Sequence, residues 1–236
     1  MNLLDIAIIF ILVMFAIVGF KRGIIRELAS VIGIIIVFIL SYTFKGFLGD
    51  FLCTTLPFFK FNGVIEGYTS INLLFYQIIA FIILFGLFLS IYEIVLKISN
   101  VLQKLVNLTL VFIIPSKILG AILSVIEGVV IIFVVLLFLM IPLKDNELFK
   151  GSSLASKIIY ETPILSNSTR EITDTMAEIV EIEEGIDEET LSIDEANLKT
   201  IDIMLRYKVV SKNTVEKLID KKKFVVPNIE TVLNKY

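Results

Sequence analysis

Four stretches of the chain are apolar on every side, without the alternation of a surface helix or a half-buried strand. Residues 3–20 hold one charge, Asp5, and residues 24–44 hold two, Arg26 and Glu27, both near the start of the run. Residues 72–92 hold none, and residues 118–141 hold only Glu127. A hydrocarbon core of about 30 Å needs about 20 apolar residues at a helical rise of about 1.5 Å each. All four runs meet that length, so the pattern predicts an all-α integral membrane protein with four transmembrane helices. Between the first two, Gly19, Lys21, Arg22, Gly23, Arg26 and Glu27 form a charged elbow where one helix turns back beside the next. The glycines there let two backbones pass closely.

Beyond Pro142 the pattern changes to helical amphipathicity. Ser168 with Glu171, and Ser192 with Glu195, have the spacing of the capping box, in which hydroxyl and carboxylate each satisfy a free N–H at a helix start. Behind them Ile172, Met176, Ile179 and Val180, then Leu198, Ile201, Met204 and Leu205, form apolar stripes. A third helix is expected over 213–222, and Pro227 opens a short last one. The chain therefore divides into a transmembrane domain, 1–142, and a small helical soluble C-terminal domain, 143–236. Residues 45–71, punctuated by Gly46, Gly49, Pro57 and Gly63, read as a loop containing Cys53. After 92, the spacing of Ile94, Ile98, Val101, Leu102 and Leu105 continues the third span as an amphipathic helix. The apolar run 108–114 is too short to cross and reads as a tucked interfacial loop.

Composition sharpens the division. Hydrophobic residues make up 57% and charged residues 19%, with a mean hydropathy of +0.92. Residues 1–143 hold eight Lys or Arg against six Asp or Glu, net +2, whereas 144–236 hold thirteen against eighteen, net −5. No basic stripe suggests nucleic acid. Short loops on the cytoplasmic side carry an excess of Lys and Arg. The elbow and the loop after span three carry Lys21, Arg22, Arg26, Lys97, Lys104 and Lys117, and the loop after span two only Lys45 and Lys60. The expected placement is a membrane with the elbow on the cytoplasmic side and both termini extracytoplasmic. The first apolar run has no basic region before it and no small-residue cleavage pattern after it, so it is expected to remain as a helix.

Chemistry is constrained by what the chain lacks. With no histidine there is no HExxH zinc site and no Ser-His-Asp triad, and the single Cys53 makes no internal disulfide. Ser116 adjoins Lys117 and Ser211 adjoins Lys212, candidate pairs of nucleophile and base. The seven acids of 178–189 lack the ligand spacing of a calcium loop. The expectation is no enzyme, no cofactor and no metal site. Glu127 lies ten residues into the last span, where an acid costs about 2.5 kcal/mol or more on insertion scales unless paired. It is expected to face other helices, either as a relay or gating carboxylate or as a partner for Lys117 or Gln77. Gly120, Ser124 and Gly128 put three small residues on one stripe of the same helix, suited to close packing within one chain or between two.

At these residues the chain resembles the colicin V production protein family of bacterial membrane proteins. Asp5 ahead of an apolar run, Gly19, Arg22-Gly23-x-x-Arg26-Glu27 at the elbow, and Lys117-x-x-Gly120 with its trailing small residues carry the resemblance, over about residues 1–142. The family often has an Asp-Arg pair where Ser116 and Lys117 stand, glycine where Ser124 stands and a basic residue where Glu127 stands. The resemblance implies four spans and a part in toxin production or export and in the cell envelope, with no catalytic residue. The functional expectation is a scaffold in the lipid bilayer that works through other membrane or envelope proteins, with a homo-oligomer left open. The alternative is a small transporter or channel using Glu127 and Gln77.

Overall fold

The computed structural model describes residues 2–63, 66–103, 113–140, 146–223 and 225–236. Four long helices come first: α1 (Leu3–Arg22), α2 (Ile24–Thr55), α3 (Ile71–Gln103) and α4 (Ile113–Leu139). All four are long and apolar enough to cross a membrane. The short α5 (Glu147–Lys150) and α6 (Ser153–Glu161) follow, then α7 (Leu165–Asp187), α8 (Ile193–Arg206), α9 (Lys212–Asp220) and α10 (Ile229–Leu233). No strand occurs among the described residues.

Several element ends differ from the sequence pattern. The second helix runs to Thr55 rather than to 44, so Cys53 lies in its last turn, 1% exposed, and not in a loop. Glycine normally weakens a helix interior by about 1 kcal/mol. Gly49 is retained because a Cβ there would sit 2.6 Å from the amide carbon of Gln77. The third helix does continue past 92, to Gln103, as its apolar spacing predicts. The fourth begins at Ile113, placing Pro115, Ser116 and Lys117 in its first turns, where proline loses no hydrogen bond. The rest of the expected interfacial loop, 108–112, lies outside the described residues. Leu165, not Ser168, starts α7, so Ser168 falls inside the helix rather than at its start. Ser192 does cap α8, with Glu195 completing the reciprocal box.

Contacts divide the chain into two compact units, a cut that hydropathy does not report. The first comprises Met1–Ser41 and Phe85–Ser168. Its interior is built on Ile8, Ile34, Phe38, Phe133 and Leu137, with Phe38 and Phe133 edge to face at 5.7 Å between centroids. Phe10, Val13, Met14 and Ile17 of α1 are 46–65% exposed, as a lipid-facing surface requires. The α1 start is held by a capping box of Asn2 and Asp5. Asp5 Oδ1 also accepts from Ser152 Oγ at 2.5 Å and from the Leu154 N–H at 3.1 Å, tying the start of α6 to the start of α1.

The second unit comprises Tyr42–Leu84 and Thr169–Tyr236. The apolar stripes of α7 and α8 face the interior there, with Ile172, Ile201 and Met204 fully enclosed and Val180 and Leu198 half-buried. The α2–α3 connection meets the tail through polar pairs: Tyr68 with Thr200 at 2.5 Å, the Ser70 N–H with Asn197 Oδ1 at 2.9 Å, and Asn197 Nδ2 with the Gly67 carbonyl at 2.9 Å. The last carbonyls of α2, which have no partner within their helix, accept from lysines. Lys223 Nζ donates to the Cys53 and Leu56 carbonyls at 2.8 and 2.5 Å, and Lys221 Nζ to that of Thr54 at 3.2 Å. Partial burial holds the Lys223 ammonium below its ordinary pKa.

Candidate functional site

The two motifs singled out by sequence meet at one end of the α1–α4 contact. Gly23, with φ of 82°, closes α1, and the Ile24 N–H that opens α2 donates to Ser116 Oγ at 3.2 Å. Above this joint the small residues of α4 lie against α1. A Cβ on Gly19 would collide with Ser124 Cβ and the Gly120 carbonyl, and one on Gly120 would stand 2.6 Å from the Gly19 carbonyl. Gly128 takes Phe15 and Leu12 in the same way, at 2.9 and 3.2 Å. The stripe Gly120, Ser124 and Gly128 is thus occupied within the chain.

Beside this joint sits a polar cluster. Glu27 is fully buried in the first turn of α2, with Arg22 Nη1 3.5 Å from its Oε1. Glu127 comes in from α4 beside Ser30, in the field of the Glu27 carboxyl and the Arg22 guanidinium, and both Glu27 oxygens are buried without a hydrogen-bond partner among the described residues. Tyr92 of α3 closes the group, its hydroxyl donating to the Ala29 carbonyl at 2.9 Å and its ring filling the space that Gly33 leaves beside α2. Arg22, Arg26, Glu93, Lys97 and Glu127 line an adjoining cavity of about 270 Å³, enough for several waters. Two acids and one guanidinium at the edge of a low-dielectric span form a strongly interacting set, because Coulomb energies there exceed those in water several-fold.

Arg22, Glu27 and Glu127 are therefore gathered into one cluster, with Arg26 on the cavity wall. Glu127 does not pair with the residues expected for it. Gln77 Nε2 donates to Asp50 Oδ1 at 3.0 Å, and Lys117 Nζ lies over the Phe20 ring at 5.7 Å. Asp5 belongs to the opposite end of α1 and serves the α6 junction. Ser30, Gly33 and Tyr92 escape sequence reading as site residues. Ser30 stands one turn after Glu27 and could have been found from that spacing, whereas nothing in the sequence brings Tyr92 to α2.

Neither Ser-Lys neighbour forms a nucleophile and base. Ser116 Oγ is engaged with α2, Ser211 caps α9, and Lys212 Nζ donates to the Leu233 carbonyl at 2.9 Å. Among the described residues no group of three or more His, Cys, Asp or Glu is placed to hold a metal ion.

These features define a class: a multi-pass α-helical membrane protein whose first and last spans lock through small residues beside a buried acid–arginine cluster. Within that class, the chain belongs to the colicin V production protein family, whose model matches residues 4–163. The match runs past the expected limit of 142 to include α5 and α6, which pack on α1 and α4. No curated protein and no solved structure matches the chain at a significant level.

Proposed function

We propose that the protein is a non-enzymatic component of the bacterial cytoplasmic membrane that supports toxin production or export, and the integrity of the envelope, by holding other membrane or envelope proteins. The family match over 4–163 carries this reading. It is supported by the use of the motif residues, which lock helices together and pair with one another inside the chain. The excess of basic residues at the elbow and after α3 supports an orientation with the elbow in the cytoplasm and both termini outside. The test is deletion of the gene from its host, with released toxin activity and detergent sensitivity measured before and after complementation. Loss of either property, restored by the parent chain, supports the reading; a deletion strain identical to the parent in both contradicts it.

The cavity beside Glu127 favours a second reading, a small transporter or channel. Proteoliposomes separate the two. A transporter gives a saturable ion or proton flux that Glu127→Gln abolishes, and a scaffold gives none.

A further inference from the structure

The first compact unit holds an apolar groove of about 580 Å³, distinct from the polar cluster, between the spans and the chain that follows them. One wall is Ile35 of α2 with Val125, Ile126 and Val129 of α4. The other is Ile158 of α6 and the turn at Pro163 that leads into Leu165 of α7. The depth of this groove follows from helix geometry. Gly23 and Ser116 mark one membrane face; nine to fourteen residues separate Ser116 from Val125 and Val130, and eleven separate Ile24 from Ile35. At about 1.5 Å per residue both routes put the groove about 14–21 Å from that face, near the middle of a core about 30 Å thick.

The opposite wall reaches the same depth from the other side. Ser152, the N-cap of α6, is bonded to Asp5 near the start of α1. From there α6 packs along α1 and α4, burying Ala155, Ile158 and Ile159. Its nine residues extend about 13 Å. The chain then turns within Thr162, Pro163 and Ile164, where Ile164 has φ of 69° and is 53% exposed. Pro163 cannot continue α6, and the Ser166 N–H bonds back to the Thr162 carbonyl at 3.0 Å. Irregular backbone at membrane depth is tolerated where protein buries it or satisfies it in this way.

We infer that the α6–α7 turn is a re-entrant segment of the membrane domain, and that the groove beside it takes the acyl chain of a phospholipid from the leaflet on the N-terminal side. The walls on α2 and α4 belong to membrane-spanning helices, so the groove opens on hydrocarbon and an acyl chain fills it without loss of polar hydration. Lys157 lies on its rim one turn nearer the interface than Glu161, and a lysine stem extends along apolar surface while its ammonium reaches for a phosphate.

The test uses the full chain in vesicles of phosphatidylethanolamine and phosphatidylglycerol, with a fraction of the phosphatidylglycerol carrying a photoreactive diazirine in its acyl chain. Adducts are expected at 125–130 and 158–165 as well as on the exposed face of α1 around Phe10. Ile126→Trp, which fills the groove, is expected to lose the groove adducts while keeping those on α1. Adducts confined to α1, with none in the groove of the parent, overturn the inference. Depth is read separately from Ile164→Cys in a Cys53→Ser background, labelled with bimane. Quenching by doxyl groups on the lipid chains is expected, and quenching by aqueous iodide instead overturns the re-entrant placement.

Discussion

Gly19 and Gly120 meet where not even a methyl group fits, so the α1–α4 joint is set by the absence of side chains. Forcing a larger residue into a well-packed contact costs typically about 1–3 kcal/mol. Gly120→Leu is accordingly expected to lower the thermal unfolding midpoint in detergent, whereas Ile122→Leu, at a position 54% exposed on the same helix, leaves it unchanged. Equal midpoints for both variants would remove the joint as a source of stability. The small stripe was legible from its four-residue spacing, but spacing says nothing of what lies across from it. The same limit explains Glu127. Its membrane depth marked it out, while its neighbours Ser30, Glu27 and Arg22 depend on the way α1, α2 and α4 approach one another.

At the scale of elements, the four spans were legible because burial in hydrocarbon selects composition directly, whereas their ends were not. The extension of α2 to Thr55 depends on Gln77 packing into the space beside Gly49 and on Lys221 and Lys223 capping its last carbonyls, contacts from remote sequence. A charged donor at a helix C-terminus contributes about 1–2 kcal/mol. Lys223→Ala is expected to lower stability by that order in a chemical-denaturation series, and Lys222→Ala, whose side chain is exposed, to have no effect. The capping box of α8 was legible because both its members lie within four residues. There the Ser192 hydroxyl and amide hold the Glu195 carboxyl below its ordinary value of 4.5. A depressed folded value means the contribution is present above the ordinary value and is lost as pH falls through the folded one. The parent should therefore be more stable than Glu195→Gln at neutral pH, and the difference should begin to shrink as pH falls below the ordinary value of 4.5 and vanish only at lower pH, once the folded carboxyl is itself protonated. A difference that persists unchanged in acid would rule out the carboxylate as its source.

For the molecule as a whole, contacts within each unit agree on which segments share a face. In the first, Asn2 Nδ2 donates to the Leu148 carbonyl at 2.5 Å and Asp5 holds Ser152, while Gly23 and Ser116 meet at the far end of α1. In the second, Lys223 joins the tail to the end of α2. Each pairing is what an even number of crossings between its partners requires. Hydropathy made the crossings legible and basic residues suggested their direction, but the burial of the tail helices against 42–84 could not be read from a profile of local composition.

The central claim is a four-span chain with its elbow in the cytoplasm and its acidic tail outside, and cysteine accessibility tests it most directly. Cys53 is buried, so replacing it with serine gives a silent background. In that background Lys21→Cys places a thiol at the exposed elbow and Val225→Cys one at a tail position 84% exposed. With a membrane-impermeant maleimide, Val225→Cys is expected to react in wall-stripped intact cells and Lys21→Cys only after permeabilisation. Labelling of both in intact cells would contradict the odd number of crossings between elbow and tail, and labelling of Lys21→Cys alone would reverse the orientation.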